Sequence, residues 1–278
     1  MTAERNGDFP VRRVIVALDS ICRNAETLTT AVGLAARLNA EVAALFIEDD
    51  NLFRLVALPA ARHVSLPTAP SIALEAAHLE ADMRERAAAA ETLLAAEADR
   101  LRVPWSFRVL RGLPAAALHG ATATGDLLVV GREPDLAGLP WRVRSSVRKA
   151  VEAQPLSALV VPQRGRGSRP LVVVAPGSPL MRRSIAAARR FQGSRNVELD
   201  ALMVGGGDAE LSAARDLLGR ENVHVHAVGE MTATRLVETA RRFSNDLLVV
   251  AGDVPLVAED DGTDALLAGR AGLLLLVR

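Results

Sequence analysis

The chain has 278 residues, half of them apolar, which is enough for one large domain or two of ordinary size. Its 33 basic and 33 acidic side chains cancel, which argues against attraction to nucleic acid or an anionic membrane surface. Six Phe, two Trp and no Tyr leave few rings on which bases could stack, and the single cysteine, Cys22, excludes an intrachain disulfide.

The first ten residues, MTAERNGDFP, lack the apolar centre of a signal peptide. No stretch approaches the roughly 18 uninterrupted apolar residues that a membrane-spanning helix requires. A cytoplasmic location without membrane attachment is expected. The cations are almost all arginine, with Lys149 the one lysine, which reads with the alanine richness as a coding bias.

Taken in order, VIVALDS from Val14 is a short continuous apolar run of the kind that forms a strand covered on both faces. Ala31, Leu34, Ala35 and Leu38 follow at helical spacing, and EVAALFI from Glu41 is the next strand. NLFRLVALPAARHVSLPTAPS then reads as a short helix and an extended segment, punctuated by proline. Over 72–102 the spacing predicts one long helix, about 45 Å at 1.5 Å per residue. Its stripe is Leu79, Met83, Ala87, Ala90, Leu94, Ala98 and Leu101, opposite Glu80, Arg84, Glu91 and Arg102. Such a stripe faces either its own sheet or a partner. WSFRVLRG from Trp105 is a third strand and DLLVVG from Asp126 a fourth; a Gly/Pro loop and a basic helix from about Trp141 lead to LSALVV (Leu156 to Val161).

The pattern then repeats. VVVAPGS from Val172 overlays VIVALDS, and VELDALM from Val197 overlays EVAALFI. VHVHAVGE from Val223 overlays WSFRVLRG, and DLLVVA from Asp246 overlays DLLVVG. The spacing between copies shortens by about 38 residues after the second strand, so the first copy carries a helical insertion at about 48–90. The predicted fold is α/β: two doubly wound, parallel-sheet, Rossmann-like domains related by an internal repeat. They occupy 1–162 and 170–278, joined by a Gly/Ser/Arg linker over 163–169.

VIVALDS, the Gly112–Pro114 turn, DLLVVG and SSVRKAVEAQPLSALVVP together resemble the universal stress proteins in their tandem two-domain form, a HUP-type fold. The resemblance implies a regulatory binding protein of the stress response. It also implies a phosphate loop of the form GxxGx₉G[ST] after the fourth strand and an acid at the end of the first. In register, Asp19 is the acid, Gly131 the first glycine and Ser145 the hydroxyl, followed by Ser146 and Val147. Pro134 and Arg144 stand at the second and third glycines, where a φ-restricted ring and a long side chain replace open backbone. ATP or another adenine nucleotide, with its associated magnesium, is the implied ligand of the first domain. In the second copy Gly177, Ala251, Val254, Asp264 and Ala265 take those positions in an acidic loop, and no nucleotide is expected there.

Each candidate has a plainer reading. Gly131, Ser145 and Ser146 are either a phosphate cradle or an inherited loop whose serines cap a helix. Arg142, Arg144, Arg148 and Lys149 either add charge for a phosphate or form a solvated helix face. Asp19 approaches a ribose or caps the following helix, and Cys22 beside it is either a redox thiol at a helix N-terminus or, the plainer reading, an inert buried cysteine. His224 and His226 share one strand face but lack a third ligand, so no metal site is expected. Asp49 and Asp50 read as solvated turn residues, and Gly205–Gly207 as a flexible turn with Asp208 as helix cap.

No catalytic residues can be nominated. Adenylyl-transferring relatives of this fold use a HIGH-like histidine pair or an SGGxDS loop, and neither string occurs. The expectation is therefore binding, not catalysis. The alternatives are a scaffold without nucleotide that uses the inserted helices, and a weak ATPase. As partners, the resemblance implies a pseudo-dimer of the two domains through LSALVV and GLLLLV (Gly272 to Val277), which would cover both strand edges. A homodimer or another protein is expected at the inserted helices.

Overall fold

The computed structural model describes residues 9–19, 25–56, 62–63, 72–73, 76–131, 155–162, 169–192, 198–219, 222–243, 245–258, 266 and 272–278. Ten strands form one twisted sheet. In the first half, β1 (Arg13–Asp19) lies between β2 (Glu41–Asp49) and β6 (Asp126–Gly131). A two-residue ribbon, β3 (Arg62–His63) and β4 (Ile72–Ala73), stands apart from the sheet. Beyond β2 lies the edge strand β5 (Trp105–Gly112), and beyond β6 lies β7 (Ala158–Val161).

The second half is built from β8 (Pro170–Val174), β9 (Leu199–Val204), β10 (Val223–Val228), β11 (Leu247–Ala251) and β12 (Leu273–Val277). The whole order is β10-β9-β8-β11-β12-β7-β6-β1-β2-β5, so each half counts its own strands as 3-2-1-4-5. All neighbours are parallel except β12 and β7, which run antiparallel with Leu275 opposite Leu159. That single antiparallel seam joins the halves.

Four strands of the first half, β1, β2, β6 and β7, are apolar between their ends because they are buried on both faces. Leu127, Leu128 and Val129 of β6 and Val14, Val16 and Leu18 of β1 have no exposure, and each such side chain contributes about 1.5–3 kcal/mol through burial. The third strand of each half differs from the continuous pattern expected for it. β5 and β10 form the two edges of the sheet and are only partly buried, with Ser106, Arg108, His224 and Ala227 among their exposed positions. A strand at an edge has one flank without a strand neighbour, so polar residues are tolerated on it.

Helices cover both faces. α1 (Ala25–Leu38) buries Leu28, Ala31, Val32, Leu34 and Ala35 against β1, β2 and β6. The long helix α3 (Ala76–Leu101) starts four residues later than its periodicity suggests, because Ile72 and Ala73 are taken by the β3–β4 ribbon. Its stripe of Met83, Ala87, Ala90, Leu94 and Ala98 is buried within the chain, against α1 and β5. α4 (Pro114–Ala121) opens on Pro114, where a missing N–H costs a helix nothing. α5 (Met181–Gln192), α6 (Asp208–Gly219), α7 (Ala233–Arg241) and the short α8 (Pro255–Ala258) complete the described helices. None of them is long and apolar enough to cross a membrane.

Two charged contacts hold distant parts together. Arg13 meets Asp126 in a two-pronged contact of 3.2 Å and 2.6 Å at the N-terminal edge of the sheet; that hydrogen bond raises the guanidinium pKa above its usual value. Arg37, in the last turn of α1, donates to the Phe191 carbonyl of α5 across the seam, and burial lowers its pKa.

A third contact secures the insertion. α2 (Asp50–Val56) follows β2 directly, and Arg111 at the end of β5 reaches over it. Its guanidinium stacks 3.8 Å above the Phe53 ring, lies 3.3 Å from Glu80 of α3 and 3.9 Å from Asp50. The ion pairs are about half exposed and worth little, so the stacking dominates. Arg111→Ala is expected to speed amide exchange over 50–56 roughly fivefold with little change in melting temperature. Unchanged exchange would mean that α2 is held by its apolar contacts alone.

Candidate functional site

In a sheet ordered 3-2-1-4-5 the connections leave strand 1 and strand 4 in opposite directions, which opens a crevice at their C-terminal ends. In the first half those strands are β1 and β6, paired from Arg13 opposite Asp126 to Ala17 opposite Val130. Asp19 is the last residue of β1 and Gly131 the last of β6, so two of the sequence candidates stand on adjacent strand ends. Ser145, Ser146 and Val147, with Pro134 and Arg144, lie outside the described residues, as does Cys22.

Gly131 has a specific reason to be glycine, and it is not the one its position in the loop suggested. Its φ is not in the left-handed range. A Cβ built on it would lie 2.6 Å from Oγ1 of Thr27, a side chain only 3% exposed in the first turn of α1. The glycine therefore lets α1 settle onto the end of β6. Sequence reasoning missed Thr27, since nothing in the spacing between 27 and 131 signals that the two meet.

No protein-family model matches the sequence, and no curated protein matches it. Solved structures do. A universal stress protein from Archaeoglobus fulgidus DSM 4304 superposes with a TM-score of 0.72 at 12% identity, covering 98% of this chain and 97% of that one. A protein from Pseudomonas aeruginosa UCBPP-PA14 described as a universal stress protein gives 0.60 at 13% identity, over 96% and 93%. A functionally unknown protein from Pseudomonas aeruginosa PAO1 gives 0.59 at 14%, over 96% and 92%. The chain has the universal stress protein fold. At these identities the likeness extends to the fold and its strand order, and the chemistry of the crevices rests on this chain's own residues.

In the second half of this universal stress protein fold, the crevice between β8 and β11 is spanned by side chains. Ser178 Oγ donates to Asp253 Oδ2 at 2.6 Å and accepts from the Leu180 N–H at 3.0 Å. Gly177, at the position of Asp19, has φ +75°, a left-handed turn open to glycine. The Gly252 N–H donates to the Val277 carbonyl at 2.8 Å, so it is committed to the end of β12.

Within the Gly205–Gly207 turn one glycine makes a close approach. Gly206 has φ +88°, and a Cβ on it would fall 2.5 Å from Pro176 Cγ, so this glycine lets the turn after β9 lean on the turn after β8. The cap also differs from expectation. Asp208 is the first residue of α6, and Glu210 reaches back to accept from the Gly207 N–H at 3.1 Å.

Other candidates resolve into structure. Asp49 is buried, not solvated, and its Oδ1 accepts from both the backbone and side-chain N–H of Asn51 at 2.9 Å, which fixes the start of α2. His226 Nε2 lies 2.8 Å from Asp200 and packs edge-on against Phe243, while His224 Nε2 lies 3.4 Å from Glu198. Among the described residues no group of three or more His, Cys, Asp or Glu is placed to hold a metal ion.

Proposed function

We propose that this chain is a cytoplasmic regulatory protein of the stress response that acts by binding, and that it takes one adenine nucleotide in the crevice of its first half. The observation that carries the reading is the strand-order reversal between β1 and β6, which brings the ends of both strands, Asp19 and Gly131, side by side where open α/β sheets hold their ligands. The N-terminus of α1 opens on the same crevice and favours negative charge there. Ser145, in register with the phosphate-binding hydroxyl of the family, and Ser146 beside it supply further donors. A nucleotide held there would bring its own magnesium.

The second half does not fit such a ligand. Asp253 occupies its crevice with a carboxylate already hydrogen-bonded to Ser178, and a phosphate brought beside it meets like charge. We read units 1–162 and 170–278 as a ligand-binding half and a structural partner paired through β7 and β12.

Titration calorimetry with ATP and AMP on protein purified without nucleotide tests this. The expected result is saturation near one equivalent per chain, weakened tenfold or more in Ser145→Ala/Ser146→Ala. Gly131 variants are unsuitable here, because a side chain at 131 strikes Thr27 whether or not a ligand binds. Absence of heat with either nucleotide favours the second reading, an interaction scaffold. Val109 and Leu113, exposed by 48% and 47% at the β5 edge beside the insertion, are what recommend that reading.

A further inference from the structure

β5 is 8 residues long, and no strand lies beyond it among the described residues. It pairs with β2 in one unbroken register, Val42 opposite Trp105, and the Val42 N–H donates to the Pro104 carbonyl at 2.9 Å. In a parallel ladder alternate residues turn both backbone groups to the same side. Pro104, Ser106, Arg108 and Leu110 therefore face β2, while Trp105, Phe107, Val109 and Arg111 turn N–H and C=O to the open side. Long edges are ordinarily blunted by proline, a bulge or charged side chains. β5 has neither proline nor bulge, and Val109 and the following Leu113 are the exposed large apolar side chains of the described residues. The opposite edge, β10, is shorter and carries the His224–Glu198 and His226–Asp200 pairs.

We propose that two copies of this chain join edge to edge through β5, as antiparallel strands about a twofold axis. The strand's own sequence commits the edge to this occupant. Outward residues must meet outward residues, and two such registers keep most of the strand paired, one centred on Arg108 and one on Val109. The first sets Arg108 against itself in a close, non-hydrogen-bonded pair, which like charges oppose. The second sets Val109 against Val109, Phe107 against Arg111 and Arg108 against Leu110, so no like charges are directly opposed. It also covers the exposed Val109 on the axis itself. One strand pair is a small interface, so the dimer belongs at the weak, micromolar end of protein association. The inference does not depend on the nucleotide reading.

Sedimentation velocity on the full chain tests this, as wild type, Val109→Glu, Val109→Lys and an equimolar mixture of the two variants, with thermal melts as the control for folding. The wild type is expected to shift from one chain to two as its concentration rises. Each variant sets like charges on the axis and should weaken association about tenfold or more, and the mixture, with opposite charges there, should recover it. Amide exchange on the wild type reads the same edge without any substitution. Exchange at Phe107, Val109 and Arg111 should slow with rising concentration, and exchange over 223–228 should not. A chain that stays monomeric at every concentration overturns the inference. So does association that both variants keep, a mixture of folded variants that fails to recover it, or protection that arises over 223–228 instead.

Discussion

A chain ending at residue 271, and so lacking β12, is expected to be recovered as aggregate or as concentration-dependent oligomers. β12 is buried along its whole length, with Leu273, Leu274, Leu275, Leu276 and Val277 at 3% exposure or less. Five such side chains at about 1.5–3 kcal/mol each amount to roughly 10 kcal/mol, comparable to the entire stability of a typical domain. The strand also pairs with β11 on one side and β7 on the other, so its loss leaves two apolar strands with unpaired edges and no join between the halves. Light scattering behind size exclusion, with a thermal melt, decides the matter. A monodisperse monomer that melts like the full chain would show that the seam contributes little.

The second expected result is a coupling between two residues distant in sequence. Gly131→Ala is expected to lower stability by about 1–3 kcal/mol, since the added carbon lies 2.6 Å from Thr27 Oγ1 and both groups sit on rigid elements. Thr27→Ala removes the obstructing oxygen. The double variant should therefore be close in stability to Thr27→Ala alone, giving an interaction energy of about 1 kcal/mol or more in a double-mutant cycle from urea melts. Additive effects would mean that α1 shifts away from β6 to accept the new side chain.

Much of the fold was legible because it depends on local pattern. LLVV after Asp126 and VVV from Val172 are apolar without interruption, which fits strands sealed on both faces. The overlay of the two copies carried the succession of elements along the chain from one half to the other. WSFRVLRG and VHVHAV read as continuous strands like the others, and that they are the partly exposed sheet edges follows only from which strand pairs with which. The β3–β4 ribbon has two residues per strand and no periodicity to detect. At the site, Asp19 and Gly131 could be located from register. The reason for Gly131 could not, because the contact with Thr27 depends on how α1 is rotated above the sheet. Asp49 was misread for a similar cause: whether an acid after a strand is solvated or capping depends on where the next helix turns.

The seam between β7 and β12 lies within one polypeptide, so its pairing is independent of protein concentration, and dilution that would separate two subunits leaves it intact. It also removes a constraint that binds identical subunits. In a homodimer every substitution appears on both sides of the twofold axis, whereas here Ser178 and Asp253 span one crevice while Asp19 and Gly131 border the other.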